Sequence, residues 1–128
     1  MILRLTMRSS IARARLSGAL DPAGGTAAFE YRFDPDDPTF AGHFPGRPLL
    51  PGAFQLEIAR VAAEEMLSCP LAIEEVGKAK FLRPISPGET VRVELKVSEG
   101  TPLIQARVRF SVGGQPAGET RLSLARRS

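Results

Sequence analysis

The sequence holds one histidine, His43, in a segment dense in glycine, proline and phenylalanine: Phe40-Ala41-Gly42-His43-Phe44-Pro45-Gly46-Arg47-Pro48-Leu49-Leu50-Pro51-Gly52. Pro45, Pro48 and Pro51 restrict the backbone beside the imidazole, which is what holding a ring in one orientation requires. Histidine is the side chain that ordinarily titrates near neutrality, so one imidazole suffices as a general base. Pro51 and Gly52 stand where a helix is predicted to begin. There the N–H of Gly52 lacks an intrahelical partner and carries the positive end of the helix dipole. Such an N–H can bind a carbonyl oxygen that gains negative charge in a transition state. Glu57 follows fourteen residues after His43, just over one helical turn beyond Gly52. A base, a carboxyl group and an oxyanion donor are the parts needed to remove a proton beside a carbonyl and expel a leaving group. Plainer readings remain open. A lone histidine in a Pro/Gly loop can be a turn residue, many helices begin with Pro-Gly, and Glu57 shares a helical face with Arg60, Glu64 and Ser68, as a solvated stripe would.

Little else competes for chemistry. Cys69 is the sole cysteine, which rules out an intrachain disulfide and argues against a thiol metal site, and with one histidine a metal site with two or more His ligands within a single chain is excluded. Tryptophan is absent and Tyr31 is the only tyrosine, so stacking platforms for nucleic acid are poorly supplied. The net charge of +3 suits an acidic partner without demanding nucleic acid. No run approaches the roughly 20 apolar residues of a membrane span. One free cysteine and no apolar signal-peptide core make the cytoplasm the expected location. Arg4, Arg8, Arg13 and Arg15 precede the first acid, Asp21. Such a start can be a mitochondrial transit peptide, but a strand or two with solvated arginines is the expectation.

The elements that must position these residues are legible from periodicity. The 128 residues are expected to form a single domain, 1–128. Ala27 to Phe33 alternates, placing Ala27, Phe29, Tyr31 and Phe33 on one face of a strand. Ala53 to Leu67 contains no Gly or Pro and many helix formers, with Phe54, Ile58, Val61 and Ala62 on an apolar stripe and Pro70 as the stop. Strands are predicted over Ile73 to Leu82, Thr90 to Ser98, Ile104 to Val112 and Gly118 to Ala125, with Lys78 and Lys80 on one face of the first. One long helix followed by alternating strands gives an α+β fold, an antiparallel sheet covered on one face by that helix.

Gly42-His43-Phe44-Pro45-Gly46-Arg47-Pro48-Leu49-Leu50-Pro51-Gly52 closely resembles the GHFPxxPxxPG signature of the FabZ-type (3R)-hydroxyacyl-[acyl-carrier-protein] dehydratases. Lys80-Phe81-Leu82-Arg83-Pro84-Ile85-Ser86-Pro87-Gly88-Glu89 resembles their KFxRPVxPGD segment. The resemblance spans roughly Phe40 to Val97. It implies the hotdog fold, a curved antiparallel sheet wrapped around one long helix. It also implies dehydration of a 3-hydroxyacyl thioester on acyl carrier protein to the trans-2-enoyl thioester, with no cofactor. His43 would then remove the C2 proton, Glu57 would assist loss of the 3-hydroxyl, and the Gly52 N–H would bind the thioester carbonyl. The family takes the histidine and the acid of one site from different subunits, so a homodimer or higher even oligomer is implied.

Two departures stand out. FabZ-type helices commonly continue from the acid as E-A-M-A-Q, whereas here Glu57-Ile58-Ala59-Arg60-Val61 places Val61 where the glutamine would be. Residues 1–26 match no typical family start. A divergent branch serving a specialised polyketide or polyene pathway is one expectation, beside fatty-acid synthesis. Carrier proteins are acidic, and Lys78, Lys80 and Arg83 are the candidate contacts. A hotdog acyl thioesterase and a non-catalytic module that binds acyl chains or carrier protein are the alternatives.

Overall fold

A computed structural model describes residues 2–37, 52–100 and 102–127. The elements run α1 (Ile2–Ala14), β1 (Arg15–Asp21), β2 (Thr26–Arg32), α2 (Gly52–Leu67), β3 (Leu71–Phe81), β4 (Thr90–Ser98), β5 (Ile104–Val112) and β6 (Gln115–Arg126). All six strands form one sheet in the order β1-β2-β4-β5-β6-β3, and every pairing is antiparallel. Strand β2 lies near one edge and β3 forms the other, so the chain between them must cross the sheet. Helix α2 makes that crossing, which places it against the inner face. This is the α+β hotdog arrangement that the sequence suggested.

The alternation read from the sequence matches the packing. Val91, Val93, Leu95 and Val97 of β4 face inward with Ala106, Val108, Phe110 and Val112 of β5 and Leu122 and Leu124 of β6. Phe29 and Tyr31 line the inner face of β2 with Phe33 just beyond, and Phe33 meets Phe54 of α2 edge-on, ring centroids 5.3 Å apart. That geometry is favoured by the aromatic quadrupole. Helix α2 ends at Leu67, and Ser68 takes φ 55°, the left-handed conformation that commonly closes a helix.

The structure departs from expectation at the N-terminus. Residues 2–14 are helical, not a strand, and only Arg15–Asp21 pairs into the sheet. The helical signal is present in the sequence: Met7, Ser10, Ile11 and Ala14 recur at i, i+3, i+4 and i+7, and all four pack inward. Nor are the arginines merely solvated. Arg8 pairs with Glu64 at 3.0 Å, Arg13 with Asp37 at 2.9 Å, and Arg15 with Glu65 at 2.5 Å. These pairs fasten α1 and the start of β1 to α2 and to the segment that leaves β2.

The Tyr31 hydroxyl is buried and meets no hydrogen-bond partner among the described residues. Burial pushes its pKa well above the ordinary value, because the phenolate would lose its hydration. Tyr31→Phe is therefore expected to raise unfolding free energy by about 1 kcal/mol near neutral pH, since it removes an unsatisfied polar group. Above about pH 10 the unfolded tyrosine ionises while the folded one does not, so wild-type stability falls with pH and the advantage of the variant grows. Urea titrations of both proteins at pH 7 and pH 10.5 would check this, and an equal gap at the two values would contradict it.

Candidate active site

Gly52 is the first residue of α2, as the Pro-Gly start suggested. A Cβ at this position would come within 2.9 Å of the Phe81 ring, so a side chain here would have to displace that ring. Phe81 belongs to the second family-like segment, which therefore packs on the helix start. The rest of that segment is a tied turn. Glu89 accepts from the Ser86 N–H at 2.9 Å and pairs with Arg83 at 2.8 Å, while Gly88, at φ +96°, donates its N–H to the Phe33 carbonyl at 2.7 Å. The turn is thereby fastened to the end of β2, from which the chain leads towards His43. Arg83, a candidate carrier contact, has its guanidinium engaged by Glu89 and by the Pro84 carbonyl.

Glu57 lies about 7.5 Å along the helix axis from Gly52, five residues at the α-helical rise. The face it shares with Arg60 and Glu64 is not the solvated stripe that amphipathic reasoning suggests. All three are buried, Arg60 to 1% exposure. The inner face of the sheet covers one side of α2, and α1 with the start of β3 covers this one. Arg60 donates Nε to Glu57 Oε2 at 3.0 Å and Nη2 to Glu57 Oε1, so both carboxylate oxygens face the guanidinium fork. Its Nη1 reaches the Leu71 carbonyl at 3.1 Å and Glu64 Oε2 at 2.8 Å. Glu64 also accepts from the Leu71 N–H at 2.8 Å and from Arg8. The hydrogen bond from Glu57 pushes the Arg60 pKa above its ordinary value, outweighing the opposing effect of burial. The result is a chain of alternating charge, Arg8–Glu64–Arg60–Glu57, with little net charge. Burial of this kind is tolerated only when every charge is paired.

Arg60 is the residue that sequence reasoning missed as part of the site. Its signal was the i, i+3, i+7 spacing of Glu57, Arg60 and Glu64, which by periodicity alone reads as surface. His43 lies outside the described residues. Among the described residues no cluster of His, Cys, Asp and Glu could hold a metal ion, and no helix is long and apolar enough to cross a membrane.

Lys78 and Lys80 lie on the outer face of the sheet. Lys80 stands opposite Glu119, itself opposite Arg109, in a row of alternating charge. Lys78 belongs to a different row. Lys96, Arg107, Arg121 and Lys78 are direct neighbours across β4, β5, β6 and β3, and none has an ion pair among the described residues. A depression of about 570 Å³ on the same outer face is lined in part by Lys96 and Arg107.

An antiparallel sheet wrapped around one long helix defines a hotdog-fold protein; this class includes both dehydratases and thioesterases. A point mutant of the fluoroacetyl-CoA-specific thioesterase FlK shares the fold, with TM-score 0.68 at 14% identity over 81% of this chain and 86% of that one. Residues 20–121 match the ApeI-like family, described as ApeI dehydratase. A chain of the dehydratase heterocomplex ApeI:P from Xenorhabdus doucetiae superposes with TM-score 0.74 at 28% identity, over 88% of this chain and 96% of that one. The 3-hydroxyacyl-[acyl-carrier-protein] dehydratase FabZ of Desulforamulus reducens is 36% identical over 70% of this chain and 69% of its own length. The FabZ of Chloroflexus aggregans is 35% identical over 83% and 78%. The chain belongs to the ApeI-like dehydratase family, and is thus a FabZ-type enzyme of the hydro-lyase class.

The tied turn yields a test of how the second segment acts. Glu89→Ala removes the acceptor for both Ser86 and Arg83, and is expected to cost about 1 kcal/mol, discounted because Arg83 and Glu89 are partly exposed. Amide exchange at Gly88 should accelerate, because its bond to Phe33 depends on the turn. Unchanged protection at Gly88 would show that the turn holds without Glu89.

Proposed function

We infer that the protein dehydrates a (3R)-hydroxyacyl thioester borne on acyl carrier protein to the trans-2-enoyl thioester, in fatty-acid or specialised polyketide or polyene synthesis. The observation that carries this reading is Glu57: a buried carboxylate, fixed at both oxygens, just over one turn beyond the helix start at Gly52.

The chemistry follows from the parts. His43 takes the C2 proton, whose acidity rises as the thioester carbonyl accepts a hydrogen bond from the Gly52 N–H. The C2–H electron pair becomes the C2–C3 double bond. The C3–O bond breaks with its own pair; the departing oxygen keeps its hydrogen bond to Glu57 and takes the proton that His43 removed from C2, so that it leaves as water and His43 returns to its neutral form. The protons balance, and neither redox nor metal chemistry is needed. His43 and Glu57 of one site come from two copies of the chain, so a homodimer or higher even oligomer is the active unit.

The acidic carrier approaches through the outer-face cations. Four like charges directly opposite one another destabilise the free sheet, and an acidic surface relieves that repulsion. Lys78 with Arg121, Arg107 and Lys96 fits this role better than Arg83, which is already paired.

With a 3-hydroxyacyl carrier protein as substrate, the wild-type protein should generate the absorbance of a conjugated enoyl thioester and release no free thiol. His43→Ala should lower that rate by at least about a hundredfold, in the range of a lost general base. Full activity in this variant would remove His43 from the mechanism, and thiol release would make the protein a thioesterase. Joint replacement of Lys78 and Arg121 by glutamate should raise KM for the carrier-borne substrate several-fold with kcat unchanged. That penalty should shrink in about 0.5 M salt as the charges are screened. A KM unchanged at low salt would exclude this face from carrier docking.

A further inference from the structure

Arg60 is buried to 1% exposure, and its guanidinium makes four contacts to three groups: Glu57, Glu64 and the Leu71 carbonyl. Stability does not explain such an arrangement well. Taking a guanidinium and two carboxylates out of water is expensive, and well-packed apolar residues in their place are often as stable or more so. What a fork on a carboxylate does supply is geometry. Two parallel N–H···O bonds fix the plane of the acceptor as well as its distance, which a single point charge cannot do. A glutamate side chain otherwise samples several rotamers and must give up that freedom when it is ordered.

The fork cannot swing away from Glu57. Its far edge is held by Glu64 and by the Leu71 carbonyl at the start of β3, and Glu64 is held in turn by Arg8 of α1. Side chains on a helix lean towards its N-terminus, so Arg60 reaches back to Glu57 on the side where Gly52 opens the helix.

We propose that Arg60 is a positioning residue for the dehydration: it sets the Glu57 carboxylate in the orientation that accepts a hydrogen bond from the 3-hydroxyl of the substrate. This rests on the reading that Glu57 faces the substrate. Arg60 touches neither the substrate nor the reacting atoms; it acts through Glu57 alone.

The test is a set of variants assayed on a 3-hydroxyacyl carrier protein, with folding checked by circular dichroism: Arg60→Met, Arg60→Lys, Glu57→Gln, and the Glu57→Gln/Arg60→Met pair. Arg60→Met should lower kcat at least about tenfold with KM within about twofold, the signature of a misplaced catalytic group. Arg60→Lys, which keeps the charge and loses the fork, should fall between wild type and Arg60→Met. In the Glu57→Gln background, adding Arg60→Met should change kcat by less than about twofold, because the two residues act as one unit. Wild-type kcat in a folded Arg60→Met protein, or the same fold-loss with and without Glu57, would overturn the proposal. Should Arg60→Met fail to fold, Arg60→Lys decides: a fall in kcat at constant KM upholds the proposal and wild-type kcat overturns it. Failure of the underlying reading looks different, since Glu57→Gln would then retain wild-type kcat, and both would fall together.

Discussion

The buried guanidinium of Arg60 is the constraint on which the interior around α2 depends. A cation in that position obliges the chain to bring Glu57 and Glu64 to it, and to spend the Leu71 carbonyl on it. Glu64 then has an oxygen to share, and Arg8 of the N-terminal helix takes it. One charged residue thereby links helix α2, the first residue of edge strand β3 and the segment that precedes the sheet. Helix α1 is consequently more than a leader to the domain. With Asp37 accepting from Ser10 and Arg13, it also braces the exit from β2 towards His43.

Strands β2, β4, β5 and β6 were legible in the sequence because each is covered on one face only, and period-two alternation reports that condition directly. Thr90–Ser98 and Ile104–Val112 match their predicted limits for this reason. Helix α2 was legible in its extent but not in its environment. An amphipathic reading assumes one buried stripe, whereas α2 is enclosed by the sheet on one side and by α1 and Leu71 on the other. Burial of Gln55, Glu57, Arg60 and Glu64 follows from that enclosure. Helix α1 was missed for a different reason. Its arginines were read as the solvated face of a strand, and the contacts that give the helix its place, Arg8 to Glu64 and Arg13 to Asp37, join residues far apart in the chain.

The second family-like segment shows how a motif can serve chemistry without performing it. Among its residues, Phe81 packs on the helix start while Glu89 and Gly88 fasten a turn to the end of β2. The segment thus supports both ends of the stretch that carries His43. The charged rows on the outer face have a comparable division. One row, Lys80, Glu119 and Arg109, alternates in sign, while the other, containing Lys78, presents only cations and so has charge to offer a partner.

The proposed function assigns the histidine and the acid of each site to different copies of the chain. Mixing two inactive proteins tests this most directly. His43→Ala and Glu57→Gln subunits, unfolded and refolded together, should form hybrid dimers in which one of the two sites has both groups intact. With random pairing, about a quarter of wild-type dehydratase activity should return, because half the dimers are hybrids and each has one working site. No recovery, with hybrid dimers present in the mixture, would contradict the account.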